Sequence, residues 1–128
     1  MKKYRLGIVI SFLVLVLGYF VNRAFNPFYK KIQWLENEIP KHNPVDVHDS
    51  LDGVVTKVFE TRGWTYVTFR NATKISIPTS RNGLYEENFI GDFLKVGDQL
   101  YKRPKSDTLE VMRGNEKYYF LIGKIINE

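Results

Sequence analysis

The chain has 128 residues, no cysteine, and 19 basic against 14 acidic side chains, a formal charge of +5. That length fits one modest domain with an appendage, and the lack of cysteine excludes a disulfide framework, a thiolate nucleophile and a Cys-based zinc site. Lys2, Lys3, Arg5, Arg23 and Lys30 fall in the first 30 residues with no acid, leaving 14 basic and 14 acidic residues beyond, so the excess charge belongs to the N-terminal segment.

From Leu6 to Val21 the sequence reads LGIVISFLVLVLGYFV, sixteen uncharged residues of which twelve are Leu, Ile, Val or Phe. Those twelve favour membrane insertion by about 5 kcal/mol. Sixteen helical residues span about 24 Å, short of a hydrocarbon core of about 30 Å. Extension to Phe25 closes the gap, with Arg23 snorkelling toward headgroups. The run exceeds a signal-peptide h-region and no small-x-small cleavage site follows, so residues 1–25 read as an uncleaved signal anchor, the membrane contact being residues 6–25. Lys2, Lys3 and Arg5 before the helix compete with Arg23, Lys30 and Lys31 after it. The tight leading cluster and short tail favour a cytoplasmic N-terminus, with the C-terminal domain periplasmic or extracellular.

Residues 26–49 are expected to form a juxtamembrane amphipathic helix and a linker. Asn26-Pro27 has the form of a helix start, and Phe28, Ile32, Leu35 and Ile39 recur at spacings of four, three and four before Pro40 ends the pattern. Phe25, Tyr29 and Trp34 suit a headgroup region. Residues 40–49, PKHNPVDVHD, carry two prolines and no apolar period, so they read as linker. His42 and His48 fall here as exposed linker histidines, and no metal site is expected.

Residues 50–128 change to short runs rich in Val, Ile, Thr, Tyr and Phe separated by turn residues. Strands are predicted over Leu51–Glu60, Trp64–Arg70, Lys74–Ile77, Gln99–Arg103, Thr108–Arg113 and Lys117–Ile122. The apolar stretch 78–95 reads as a short helix or turn plugging the open end of a barrel. The expected fold is mainly β: a transmembrane helix and a short amphipathic helix, then a small antiparallel β-barrel of five or six strands, OB-like, SH3-like or barrel-sandwich. Trp64, Phe69, Phe93, Tyr119 and Phe120 are its core candidates.

The sharpest local feature is Val96-Gly97-Asp98-Gln99-Leu100-Tyr101-Lys102, followed by Lys105-Ser106-Asp107 and the strand Leu109–Arg113. Gly97 suits a tight turn, and the Asp98 carboxylate can accept a nearby backbone N–H; Lys102 reads as a solvated strand residue. The tract resembles one in small membrane-anchored or exported β-domain proteins of Bacteroidetes type, which carry Gly-Asp-x-Ile/Leu-x-Lys before a Ser-containing turn and a strand. The resemblance covers at most residues 53 to 123. It implies a β-rich envelope domain and supplies no activity or catalytic residue.

HExxH, G-x-S-x-G, P-loop and G-x-G-x-x-G motifs are all missing, so no catalytic residue and no cofactor is expected and the chain does not read as an enzyme. The leading expectation is a single-pass membrane protein whose extracytoplasmic β-barrel is a binding or scaffolding module in the cell envelope, with a protein or glycan partner. Arg62, Trp64, Arg81 and Tyr85, on the first hairpin and the long loop, are the candidate ligand-binding residues. Nucleic acid is not expected, because the domain lacks net positive charge. A cytoplasm-facing OB-like nucleic-acid module and an envelope enzyme without a recognisable motif are the alternatives, and the oligomeric state is open.

Overall fold

A computed structural model describes residues 2–128, so Met1 of the anchor segment lies outside the described residues. The chain divides into two units, residues 1–39 and 40–128.

The first unit is one helix, α1 (Lys2–Glu38), which runs through Pro27 without interruption. The helix start expected at Asn26-Pro27 is therefore not made. Pro27 removes one backbone hydrogen bond, whereas a break there would create two further helix ends, each with up to four unsatisfied groups. Leu13, Leu15 and Leu17 are 60 to 73% exposed, as are most of the apolar residues along this helix. A single turn of 3-10 helix, Ile39–Lys41, follows it at Pro40.

The second unit is built on β1 (Asn43–Pro44), β2 (Leu51–Thr61), β3 (Trp64–Phe69), β4 (Lys74–Ile77), β5 (Arg81–Asn82), α2 (Ile90–Phe93), β6 (Gln99–Lys102), β7 (Thr108–Arg113), β8 (Glu116–Leu121) and β9 (Ile125–Ile126). Seven strands form a mixed sheet in the order β1-β4-β3-β2-β6-β7-β8, and β5 pairs with β9 separately. Only β1–β4 is parallel in the large sheet. Two-residue turns connect the β2–β3 and β7–β8 hairpins. Arg62 and Gly63 both have positive φ between β2 and β3, and Gly114 takes the first central position between β7 and β8.

The sheet is not closed into the expected barrel. Segment 78–95 takes the place that strand-to-strand pairing would have occupied: α2 packs on β2 and β3, and β5 lies against β8. The chain as a whole is also α and β rather than mainly β, since α1 alone takes 37 residues. Residues 40–45, read from sequence as linker, join the domain instead. Val45 donates its N–H to the Ser76 carbonyl at 2.9 Å, and His42 is buried edge-on against Phe59 and Tyr66. Exposed linker histidine thus describes His48 and not His42.

Strand β2 belongs to both halves of the sheet. Leu51–Val54 pair with β6, Val55–Thr61 pair with β3, and the register shifts between Val55 and Lys57, the signature of a bulge that bends the strand. One face is predominantly apolar: Val55, Val67, Phe69, Ile77, Leu100, Leu109, Val111 and Phe120 pack with Ile90 and Phe93 of α2. Of the expected core aromatics, Phe69, Phe93 and Phe120 are inside, while Trp64 and Tyr119 are each 37% exposed.

Gly53 lies under the Phe69 ring, where a Cβ would stand 2.8 Å from Cγ and Cδ1. Gly53→Ala is expected to lower unfolding stability by about 2 kcal/mol through overpacking, and Phe69→Leu in the same chain to recover part of the loss. Denaturant melts of the full chain in detergent check this; an unchanged midpoint for Gly53→Ala contradicts the packing.

Candidate functional site on the outer face of the sheet

Strand β6 is only four residues long, yet it is fixed at both ends by buried charge. Before it, Gly97 turns the chain with φ near 98°, and the Asp98 carboxylate accepts the Lys95 N–H at 2.8 Å, the role expected of it from sequence. The same carboxylate, 2% exposed, receives the Arg113 guanidinium in a fork, Nε at 2.8 Å and Nη2 at 2.7 Å. Nη2 also donates to the Phe93 carbonyl at 2.7 Å, and the guanidinium lies 4.8 Å from the Phe93 ring centre. The hydrogen bond to Asp98 raises the Arg113 pKa, against the burial that lowers it. Bidentate Arg–carboxylate pairs are among the stronger polar contacts in proteins.

At the other end Lys102 corrects its sequence reading: it is 1% exposed, not a solvated strand residue. Its Nζ donates to the carbonyls of Val47 at 2.8 Å and Arg103 at 3.0 Å, and to that of Asp49. Three donors meet three acceptors, which is what a buried ammonium requires. Strand alternation contained the signal. Leu100 and Lys102 are two apart on one face, and Leu100 is core.

With these anchors holding β6, the residues between them alternate outward. Register places Asp52 of β2 beside Tyr101, Tyr101 beside Glu110 of β7, and Glu110 beside Tyr119 of β8. The outer face therefore carries a cross-strand row of two tyrosines with a carboxylate between them. Gln99 Nε2 donates to Asp52 at 2.8 Å, and Lys117 stands 3.4 Å from Glu110. Two depressions share Thr108 and Glu110. One, about 280 Å³, is completed by Lys117, Tyr118 and Tyr119; the other, about 220 Å³, by Tyr101, Arg103 and Ser106. At the margin, the Lys124 ammonium 2.6 Å from Asp107 holds that carboxyl below its usual range. Its contribution is present above the ordinary carboxylate pKa and lost as pH falls through the lowered one, and solvent at both partners keeps it small.

A polar cleft of about 550 Å³ lies between the β1–β2 connection and β4, with His48, Asp49 and Lys74 in its wall. Both acids of this connection serve the loop itself: Asp49 Oδ2 accepts the Asp46 N–H and Asp46 Oδ1 accepts the His48 N–H.

The four residues singled out from sequence sit on the β2–β3 hairpin, on β5 and just after it. Arg62 and Trp64 stand exposed on the β2–β3 hairpin, which Thr79 ties down by donating to the Gly63 carbonyl at 2.9 Å. Arg81 bonds Asn88 at 3.0 Å and covers the Phe89 ring at 4.9 Å. Tyr85 turns inward against Phe93, Tyr118 and Phe120, its hydroxyl accepting the Tyr119 N–H at 3.0 Å. The row of Tyr101, Glu110 and Tyr119 was not singled out, because recognising it requires knowing which strands are neighbours.

No family model, curated protein or solved structure matches the chain, so its function is argued from its own residues.

Asp98→Asn keeps the turn but ends the charge pair, and is expected to cost about 2 to 4 kcal/mol of unfolding free energy. Adding Arg113→Met should cost less than the sum of the two single changes, since it removes the stranded guanidinium. Additive losses in a denaturation cycle would show that the two groups act separately.

Proposed function

We propose that the chain is a single-pass membrane protein whose residues 40–128 form an extracytoplasmic binding or scaffolding module of the cell envelope, engaging a protein or glycan. The observation that carries this reading is the continuous exposure of apolar side chains along α1. A stripe of that extent left in water is a site for lipid or for another protein, and a 37-residue helix is about 55 Å long, enough to cross a hydrocarbon core of about 30 Å and continue beyond it.

The charge distribution supports the orientation. Three cations stand within the first five residues, and the 98 residues beyond position 30 are formally neutral, which suits neither a basic cytoplasmic loop nor a nucleic-acid surface. The Gly-Asp-x-Leu-x-Lys tract supports the same envelope reading by its resemblance to small anchored β-domain proteins of Bacteroidetes type. The outer face supports a binding role by offering aromatic rings, hydroxyls and an ion pair, the groups of a recognition surface.

Paired C-terminal fusions test the orientation. Alkaline phosphatase is expected to be active and green fluorescent protein dark, with the full-length chain remaining in the membrane pellet after carbonate washing. A fluorescent, phosphatase-inactive pair contradicts the extracytoplasmic placement and favours a cytoplasmic nucleic-acid module. Release by carbonate contradicts the anchor.

A further inference from the structure

We infer that the outer face of β6–β8 binds a linear oligosaccharide in which a carboxylated sugar alternates with an uncharged one. The inference rests on the binding-module reading and names the ligand class of that surface.

The spacing comes from the sheet itself. Neighbouring strands lie about 4.8 Å apart, so Tyr101 and Tyr119, one strand removed on either side of Glu110, stand about 10 Å apart. The apolar C–H face of a pyranose packs on an aromatic ring, and its hydroxyls need polar groups at the ring's edge. Both are present twice over. One depression holds Tyr101 and the other Tyr118 and Tyr119, and the two share the Glu110 carboxylate and the Thr108 side chain. Two consecutive sugars across the strands would place one ring by Tyr101 and one by Tyr119 and direct the hydroxyls near their linkage toward Glu110.

Charge fixes which sugar goes where. At the Tyr119 side Lys117 offsets Glu110 at 3.4 Å, so that depression is electrically balanced and suits an uncharged ring. At the Tyr101 side Arg103 lines the wall, and among the described residues its guanidinium has no acidic partner. A guanidinium of that kind matches a planar carboxylate in bidentate fashion. A polyanion is a poorer match, since Glu110 sits at the centre of the row and Asp52 at its end.

The full chain in detergent micelles tests this by titration with three probes: a hyaluronan tetrasaccharide, chitotetraose as its uncharged counterpart, and a heparin tetrasaccharide as a polyanion. Hyaluronan tetrasaccharide is expected to bind, with amide chemical-shift changes confined to β6, β7 and β8. Tyr119→Ala and Arg103→Gln should each weaken it at least fivefold, while Tyr119→Phe, which keeps the ring, should retain it. Equal binding of chitotetraose overturns the carboxylate assignment. Tighter, steeply salt-dependent heparin binding that ignores Tyr119→Ala overturns the stacking site. No binding of any probe overturns the glycan and leaves a protein partner for this face. The membrane and topology experiments do not depend on these titrations, so a failed titration leaves the anchor standing, and binding by a chain with a cytoplasmic C-terminus overturns the envelope placement alone.

Discussion

A lysine ammonium has three N–H bonds, and at Lys102 all three end on main-chain carbonyls, those of Val47, Asp49 and Arg103. The carbonyls come from both sides of the fold: two from the connection that leads into β2, one from the residue after β6. Removing a charge from water is costly unless every donor is met, so this side chain holds the connection and the strand end in one arrangement or is not buried at all. Asp98 does the same at the start of β6 through Arg113 and Phe93. A strand of four residues pairs with β2 on one side and β7 on the other, and its two ends are fixed by buried charge. This explains how an open sheet keeps a defined shape without the hydrogen-bonded closure of a barrel.

The candidate surface follows from the same anchors. With Leu100 and Lys102 committed to the interior, Gln99 and Tyr101 must face outward, and the register carries that pattern to Glu110 and Tyr119. The outer face is thus the reverse side of the packing that stabilises the inner one. It is polar, aromatic and nearly charge-balanced, whereas the cations that give the chain its basic character belong to the N-terminal segment with its apolar helix. The proposed membrane segment and the proposed recognition surface therefore use different residues, and changes to one need not disturb the other.

Much of the scaffold was legible in the sequence. The strands at Lys74–Ile77 and Thr108–Arg113 have the predicted limits, those at Leu51, Trp64 and Gln99 differ from the prediction by one residue at one end, and that at Glu116 by one residue at each end, because alternation and turn residues are local signals. The two-residue strands β1, β5 and β9 were not, since two residues carry no period and their partners lie some 30 to 45 positions away. Pro27 misled because the residues around it also fit a helix start, and only the count of unsatisfied backbone groups favours continuity. The barrel expectation failed because the edge strands β1 and β8 do not pair, while the apolar residues of 78–95 pack into the core on the sheet's inner face. At the site, Asp98 as a turn acceptor was readable and its partner Arg113, fifteen residues on, was not; the burial of Lys102 was available from alternation beside Leu100.

The most direct measurement is amide hydrogen exchange on the full chain carrying Lys102→Met, compared with the unchanged protein. The three carbonyls then lose their donor, and exchange is expected to accelerate at least tenfold from Val45 to Val54 and through β6, with global stability lower by about 3 kcal/mol, while the β7–β8 ladder stays the most protected element. Unchanged exchange over residues 45–54 with undiminished stability would contradict the claim that this buried ammonium holds the domain in the shape its outer face depends on.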